Sequence, residues 1–238
     1  MNLDISADDF DSLSNEKKKK YIANLLIKES KATPISATET PVAFVMAGLP
    51  GAGKTEFLDT LSEVLIKTKG NSNFVRIDLD QIVTVYPDYT PKDYYKFRSS
   101  GNVVLARCID IAKHGRYNMM IDGTFSGKSG ATVNTIGDLL DNGYFVVLFY
   151  LYDNAETAWD YTQKRELETY RGVSRDGFVA ACKNIIVNLK EVRKRFAENP
   201  QFQIVAVVQK KLRDKDYYIT TELIEVDKII DKPYTLEY

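Results

Sequence analysis

The residues best suited to chemistry stand in one glycine-rich segment, Gly48-Leu-Pro-Gly-Ala-Gly-Lys-Thr55. Its eight positions match the full phosphate-binding loop pattern G-x-x-x-x-G-K-[ST]. Glycines let successive backbone N–H groups curl around phosphate oxygens, and a helix that starts there adds partial positive charge. The residues predicted to bind a nucleotide are Gly48, Pro50, Gly51, Ala52, Gly53, Lys54 and Thr55.

The surroundings of this loop favour a phosphate site over an ordinary glycine-rich turn. An uninterrupted apolar run, Val42 to Ala47, precedes the loop, and a helical pattern from Lys54 to Lys67 follows it. A buried strand, a loop and a helix start form the context in which the motif works. We expect Lys54 to reach the terminal phosphates of ATP and Thr55 to give its hydroxyl to Mg²⁺.

Two carboxylates follow the next apolar run, in Arg76-Ile-Asp-Leu-Asp80. Open α/β sheets bind ligands at the carboxyl ends of their strands, so both acids would face the phosphate loop. Asp80 is therefore a candidate catalytic and substrate-binding residue that accepts the proton of an acceptor hydroxyl. The competing interpretation of Asp80 is an N-cap for the next helix.

A third apolar run ends in Met119-Met-Ile-Asp-Gly-Thr124, which places Asp122 where a Walker B acid stands. Asp122 could hold magnesium through water or bind substrate, and a turn-forming role is its alternative. Arg165 and Arg171 bracket a break between two helical segments, which indicates a lid. Arginines that close over a transferring phosphoryl group neutralise its developing charge, although Arg165 could also be a solvated helix charge.

The elements that must position these residues alternate in type along the chain. Apolar runs at 74–77, 117–121, 144–151 and 203–208 predict four more strands, separated by helical patterns. Such alternation implies right-handed crossovers and a parallel sheet covered on both faces. We predict an α/β, three-layer P-loop kinase-like fold whose mainly parallel sheet has five strands.

Three segments are expected along the chain. Residues 1–40 would form an N-terminal helical appendage, with a helix over Asp8 to Lys31, and a linker. Residues 41–210 would form the kinase core, and residues 211–238 a C-terminal tail with a possible hairpin around Asp214-Lys-Asp216.

Composition narrows the class of partner. The 32 Lys and Arg residues balance 33 Asp and Glu residues, so no net field recruits nucleic acid or an anionic membrane. The acidic, polar start lacks the apolar stretch of a secretion signal, and we expect a cytoplasmic protein. An Asn-Lys-x-Asp tetrapeptide does not occur, which argues against a switch GTPase.

Taken in order, these motifs resemble the zeta toxin kinases from about Pro41 to Leu189, including Lys183-Asn184. The resemblance implies phosphorylation of a UDP-N-acetylglucosamine hydroxyl by ATP, with an antitoxin protein as partner. Lys54 and Thr55 would then be the phosphate-loop pair, Asp80 the general base, and Arg165 and Arg171 the phosphate clamp. Asp122 and Thr124 would bind substrate.

The sequence also departs from the family pattern. Asp122 stands where the family has glutamate, Ser126 where it has arginine, and Ala106 where it has a substrate-contacting glutamate. These departures concern the binding of the acceptor molecule, whereas the residues expected to transfer the phosphate are all present. Another nucleotide, a dinucleotide such as NAD or a nucleic-acid end stays open as acceptor, and so does an ATP-binding regulator without transfer activity.

Overall fold

The computed structural model describes residues 7–70, 73–128, 130–209, 217–220, 229–230, 232 and 234. The strands are β1 Val42–Gly48, β2 Phe74–Asp78, β3 Asn118–Asp122, β4 Phe145–Tyr152, β5 Phe202–Gln209 and β6 Tyr217–Thr220. The helices are α1 Ala7–Ser12, α2 Asn15–Glu29, α3 Lys54–Lys69, α4 Leu79–Val83, α5 Tyr94–His114, α6 Ala131–Asp141, α7 Ala155–Thr169 and α8 Arg175–Phe196.

One sheet organises the molecule, with strand order β2-β3-β1-β4-β5-β6. The first five strands in this order pair in parallel, and β6 pairs antiparallel with β5. The predicted α/β class with five parallel strands is confirmed. The turn proposed around residues 214–216 lies outside the described residues, so a terminal hairpin remains a proposal.

Helices cover both faces of the sheet because the strand side chains alternate between two apolar clusters. Ala43, Val45 and Ala47 of β1 face the larger cluster, which includes buried side chains of α5, α6 and α8. Met46 faces the smaller cluster, which α3 closes with Phe57 and Leu58. This arrangement gives three layers.

The N-terminal helix differs from its expectation. The helix predicted over Asp8 to Lys31 is two helices, separated at the Ser14 N-cap of α2. Five buried residues of α2 belong to the main core cluster, because the helix packs against α5 rather than lying apart from the sheet. The expected appendage therefore shares the core of the domain.

The sheet brings the chemically interesting strand ends together. β1, β2 and β3 end at one edge, and Asp78 is the direct parallel partner of Asp122 across the β2–β3 pair.

Among the described residues, no helix is both long and apolar enough to cross a membrane.

Candidate active site

The phosphate loop between β1 and α3 depends on glycine at two tightly enclosed positions. Gly51 has φ +82°, and a Cβ there would lie 2.2 Å from the carbonyl oxygen of Ala158. Gly48 has φ +149°, and a Cβ would lie 2.6 Å from the carbonyl oxygen of Leu151. The loop backbone thus packs directly against β4 and α7, in a conformation that residues with a Cβ rarely adopt.

Lys54, the first residue of α3, is buried at the end of this loop. Its Nζ donates a hydrogen bond of 2.7 Å to the carbonyl oxygen of Leu49. Burial lowers the pKa of Lys54 to about 8, an effect that the Asp122 carboxylate opposes and Arg165 reinforces. The ammonium therefore loses its proton as the pH rises through about 8.

Thr55 and Asp122 form a pair of oxygen donors beside Lys54. The Thr55 hydroxyl donates to Asp122 Oδ2 over 3.0 Å, and both residues line the same cavity. Magnesium prefers such oxygens and fills its remaining positions with water and substrate phosphates. The donor set fits the magnesium site expected from the sequence.

Three carboxylates are concentrated at this edge of the sheet. Asp78 and Asp122 are each only 8% exposed, and Arg76 approaches Asp122 Oδ2 at 3.8 Å while it also contacts Asp59. Burial, Asp122 and then Asp80 raise the pKa of Asp78 to about 6. Burial likewise raises the pKa of Asp122, against the attraction of Lys54. Both shifts show that burial disfavours the charged forms of these two carboxyl groups.

Asp80 lies in the first turn of α4 and lines the cavity. Its Oδ2 accepts a hydrogen bond of 2.8 Å from the Arg171 guanidinium. Asp78, not Asp80, is the N-cap of α4, because Asp78 Oδ1 accepts from the Asp80 N–H at 2.8 Å. The capping alternative for Asp80 is therefore wrong, and the side chain is left to face Arg171.

The segment between α7 and α8 closes one side of the cavity. Tyr95 on α5 donates its hydroxyl hydrogen to the carbonyl oxygen of Gly172 over 2.6 Å, and Lys92 lies 5.4 Å from the Tyr170 ring centroid. Together with the Asp80–Arg171 pair, these contacts join the segment to the β2–α5 side. We refer to residues 170–174 as the lid segment.

Arg165 and Arg171, expected to act as one clamp, have different surroundings. Arg165 lines the cavity, and its buried Nε has no hydrogen-bond partner among the described residues. An orphaned guanidinium nitrogen beside Lys54 suits a phosphate oxygen. Arg171 does not line the cavity but pairs with Asp80, which does.

The loop after β3 carries Thr124, whose hydroxyl lies 2.6 Å from that of Ser126. Helix α8 holds this loop: Asn188 Nδ2 donates to the carbonyl oxygens of Phe125 and Gly127, each over 2.9 Å. Phe125 is buried with φ +59°, a left-handed conformation that is unfavourable for a side chain with a Cβ.

These groups surround a single cavity of about 1050 Å³. The predicted residues that line it are Pro50, Lys54, Thr55, Asp80, Asp122, Thr124 and Arg165. Sequence reasoning missed one face of α5, formed by Arg98, Asn102, Leu105 and Ile109, although its helical spacing of four, three and four residues was visible. Trp159 is half-buried, packs against the main core and lines the cavity together with Gln163 and Arg175.

A parallel sheet, a complete phosphate loop and strand-end carboxylates in one cavity define a protein of the P-loop kinase class. The chain belongs to the zeta toxin family, whose sequence profile matches residues 26–222. It is also 24% identical over 215 residues to the chaperone protein ClpB of Malacoplasma penetrans. That similarity covers 82% of this chain but only 29% of the relative, so the chain spans less than a third of its length.

Solved structures share the fold. A structure of the PezAT chromosomal toxin-antitoxin system of Streptococcus pneumoniae superposes with TM-score 0.64 at 19% identity, covering 96% of this chain and 90% of that one. The AvrRxo1-ORF1:-ORF2 structure with ATP superposes with TM-score 0.62 at 15% identity, covering 93% and 72%.

Proposed function

We propose that the protein transfers the γ-phosphate of ATP to a hydroxyl of a sugar nucleotide, with UDP-N-acetylglucosamine as the favoured acceptor. One observation carries the proposal: the phosphate-loop residues Lys54 and Thr55 line the same cavity as Asp80. A phosphate donor and a proton acceptor can therefore meet in one space. Membership of the zeta toxin family supports this acceptor.

The reaction follows from these positions. The loop amides and Lys54 hold the ATP phosphates, and Arg165 offers its buried Nε to the group in transfer. The acceptor oxygen attacks the γ-phosphorus, the bond to the β–γ bridging oxygen breaks, ADP leaves, and Asp80 takes the hydroxyl proton. Mg²⁺, held by Thr55 and Asp122, would neutralise phosphate charge.

Arg171 has a positioning role in this scheme. Its guanidinium contacts Asp80 Oδ2 at 2.8 Å and so fixes the direction in which the carboxylate faces. It thereby also ties the lid segment to the proposed base. The clamp expected from Arg165 and Arg171 together would be divided, with Arg165 on phosphate and Arg171 on Asp80.

The residues at which the chain departs from the family pattern support a second class of acceptor. Ala106 is exposed and does not line the cavity, whereas Asn102 of the same helix does. Ser126, which stands in place of the family arginine, offers only a hydroxyl. These differences favour the same chemistry on another nucleotide or a dinucleotide as the runner-up.

Labelled ATP incubated with a panel of sugar nucleotides, nucleosides, dinucleotides and oligonucleotides tests the proposal. We expect a labelled sugar nucleotide from the wild type and none from Lys54→Ala. Label on another nucleotide would establish the runner-up instead. Release of free phosphate alone would contradict both and indicate an ATP-binding regulator.

An antitoxin protein and a cytoplasmic site of action belong to the same proposal. They are supported by the family assignment. Expression of the wild-type chain in a bacterial host should arrest growth, and Lys54→Ala should not. Equal growth of the two strains would count against a toxin role.

A further inference from the structure

Arg175, the first residue of α8, has no role in the reaction described above. It lines the cavity, and its guanidinium carbon lies 5.4 Å from the ring centroid of Trp159. Within the described part of the chain, Arg175 forms no ion pair with a carboxylate. Glu166 also lines the cavity, but its carboxylate lies against Gly172.

The indole under Arg175 is held in place. Trp159 projects from α7 and meets the ring of Phe178 edge-on at 5.1 Å, and Phe178 is fully buried. A guanidinium that stacks on an aromatic ring contacts the ring through its own planar face. The N–H groups at the edge of the guanidinium then remain available to donate hydrogen bonds. Arg175 is thus an exposed, oriented cation at the cavity wall, and its N–H groups can donate to a ligand there.

Arg175 lies on a different helix from the two cations expected to bind the ATP phosphates. Lys54 begins α3 and Arg165 lies on α7, whereas Arg175 begins α8. The cavity extends beyond them to Ala181 of α8 and to Thr132 and Thr135 of α6. Its volume of about 1050 Å³ accommodates a second substrate beside the phosphates of the first.

We propose that Arg175 forms a second phosphate-binding site, on the Trp159 ring, for a phosphate carried by the acceptor. This inference rests on the proposed function and deepens it, because it names the residue that would hold a phosphate of the nucleotide acceptor. A planar guanidinium binds two phosphate oxygens at once, which fixes the acceptor as well as attracting it.

Trp159 makes the site directly observable, since it is the only tryptophan of the chain. Wild-type protein saturated with ADP is titrated with inorganic pyrophosphate while the indole fluorescence is followed. We expect a saturable change, and about tenfold or greater weakening in Arg175→Ala. Arg175→Lys, which keeps the charge but loses the planar fork, should fall between the two.

Lys164→Ala is the matched control. Lys164 is a cation of the same helix as Trp159 and lies 5.5 Å from the Tyr161 ring centroid, but it does not line the cavity. Its loss should leave the titration unchanged. An Arg175→Ala protein that binds pyrophosphate as tightly as the wild type, or a wild type without any fluorescence change, would overturn the proposal.

Kinetics separate the two possible sources of the phosphate. Arg175→Ala should raise KM for the acceptor about tenfold and leave KM for ATP within about twofold. A rise confined to ATP would mean that Arg175 binds the donor, which refutes the acceptor site. The fluorescence titration requires no turnover, so it still tests the site if the protein proves not to transfer phosphate.

Discussion

Asp78 and Asp80 are two residues apart but have different electrostatic surroundings. Asp78 is buried next to Asp122, caps α4 and has a pKa raised to about 6. Asp80 lies nearer the solvent, with Arg171 at 2.8 Å. Arg171 holds the Asp80 carboxylate in place, which supports the proposal that Asp80 rather than Asp78 is the base.

Asp80→Asn tests the base. The amide keeps the shape of the side chain but accepts no proton, so we expect ATP binding nearly intact and turnover lower by a factor on the order of 10² or more. Nucleotide affinity and single-turnover rates measure the two effects separately. Asp88→Asn, at an exposed carboxylate outside the cavity, is the control. Equal losses of binding and turnover would argue against the role of Asp80 as base.

Asp78→Asn tests how far the charge of Asp78, next to Asp122 and Asp80, lowers the free energy of unfolding. Because the folded pKa of Asp78 is about 6, against an ordinary 3.8, the folded state binds more protons than the unfolded state between these values. The free energy of unfolding of the wild type should therefore fall as pH rises from about 4 to about 6 and stay lower above that range. Asparagine still accepts the α4 capping bond but carries no charge.

We expect Asp78→Asn to be more stable than the wild type at pH 7.5, by about 1 to 3 kcal/mol, and to lose much of this advantage near pH 4. Thermal unfolding of both proteins across this pH range measures the difference. A constant difference at all pH values would show that the charge of Asp78 is not its cause.

At the scale of elements, helix α8 connects both sides of the cavity. Its first turn follows the lid segment, and its middle holds the loop after β3 through Asn188. Both N–H groups of the Asn188 amide are used, and the side chain is 5% exposed. Because Phe125 in that loop is held at φ +59°, the loop would relax if these bonds were lost.

Asn188→Leu should therefore displace Asp122 and Thr124 relative to the phosphate loop. We expect turnover to fall about tenfold or more with ATP affinity nearly unchanged, because the buried carbonyl group of Phe125 and the carbonyl group of Gly127 lose their donor. Val187→Ala, at an exposed position of the same helix, is the control. A variant with reduced stability but normal turnover would mean that Asn188 serves folding alone.

The elements were predictable where a local pattern decides them. The five apolar runs became the five parallel strands, and the helical pattern from Lys54 to Lys67 became α3, Lys54–Lys69. The strand order and the pairing of Asp78 with Asp122 depend on how crossovers pack, which one sequence does not reveal. The Asp80–Arg171 contact joins residues 91 positions apart, so no spacing rule could predict it.

The molecule as a whole depends on its N-terminal helix. The polar sequence of residues 1–40 suggests an attachment, yet Ile22, Leu25 and Leu26 of α2 are buried in the main core. Helix α2 packs on α5, and α5 presents Arg98 and Asn102 to the cavity. A helix remote from the phosphate loop therefore supports one wall of the site.

Removal of residues 1–29 should consequently unfold the domain rather than release an independent core. Burial of the apolar face of α2 contributes about 5 to 10 kcal/mol, at about 1.5 to 3 kcal/mol for each large side chain. A domain of this kind has only about 5 to 15 kcal/mol of total stability. We expect the truncated chain to lack a cooperative thermal transition and to bind no ATP.

A point variant tests the same dependence without truncation. Ile22 is fully buried, and Ile22→Ala should lower stability by about 2 to 5 kcal/mol, since the cavity that it leaves cannot fully collapse. Lys20→Ala, at an exposed position of the same helix, should change stability by less than about 0.5 kcal/mol. If Ile22→Ala unfolds like the wild type in a denaturant titration, α2 is dispensable and the boundary at residue 40 marks a true domain edge.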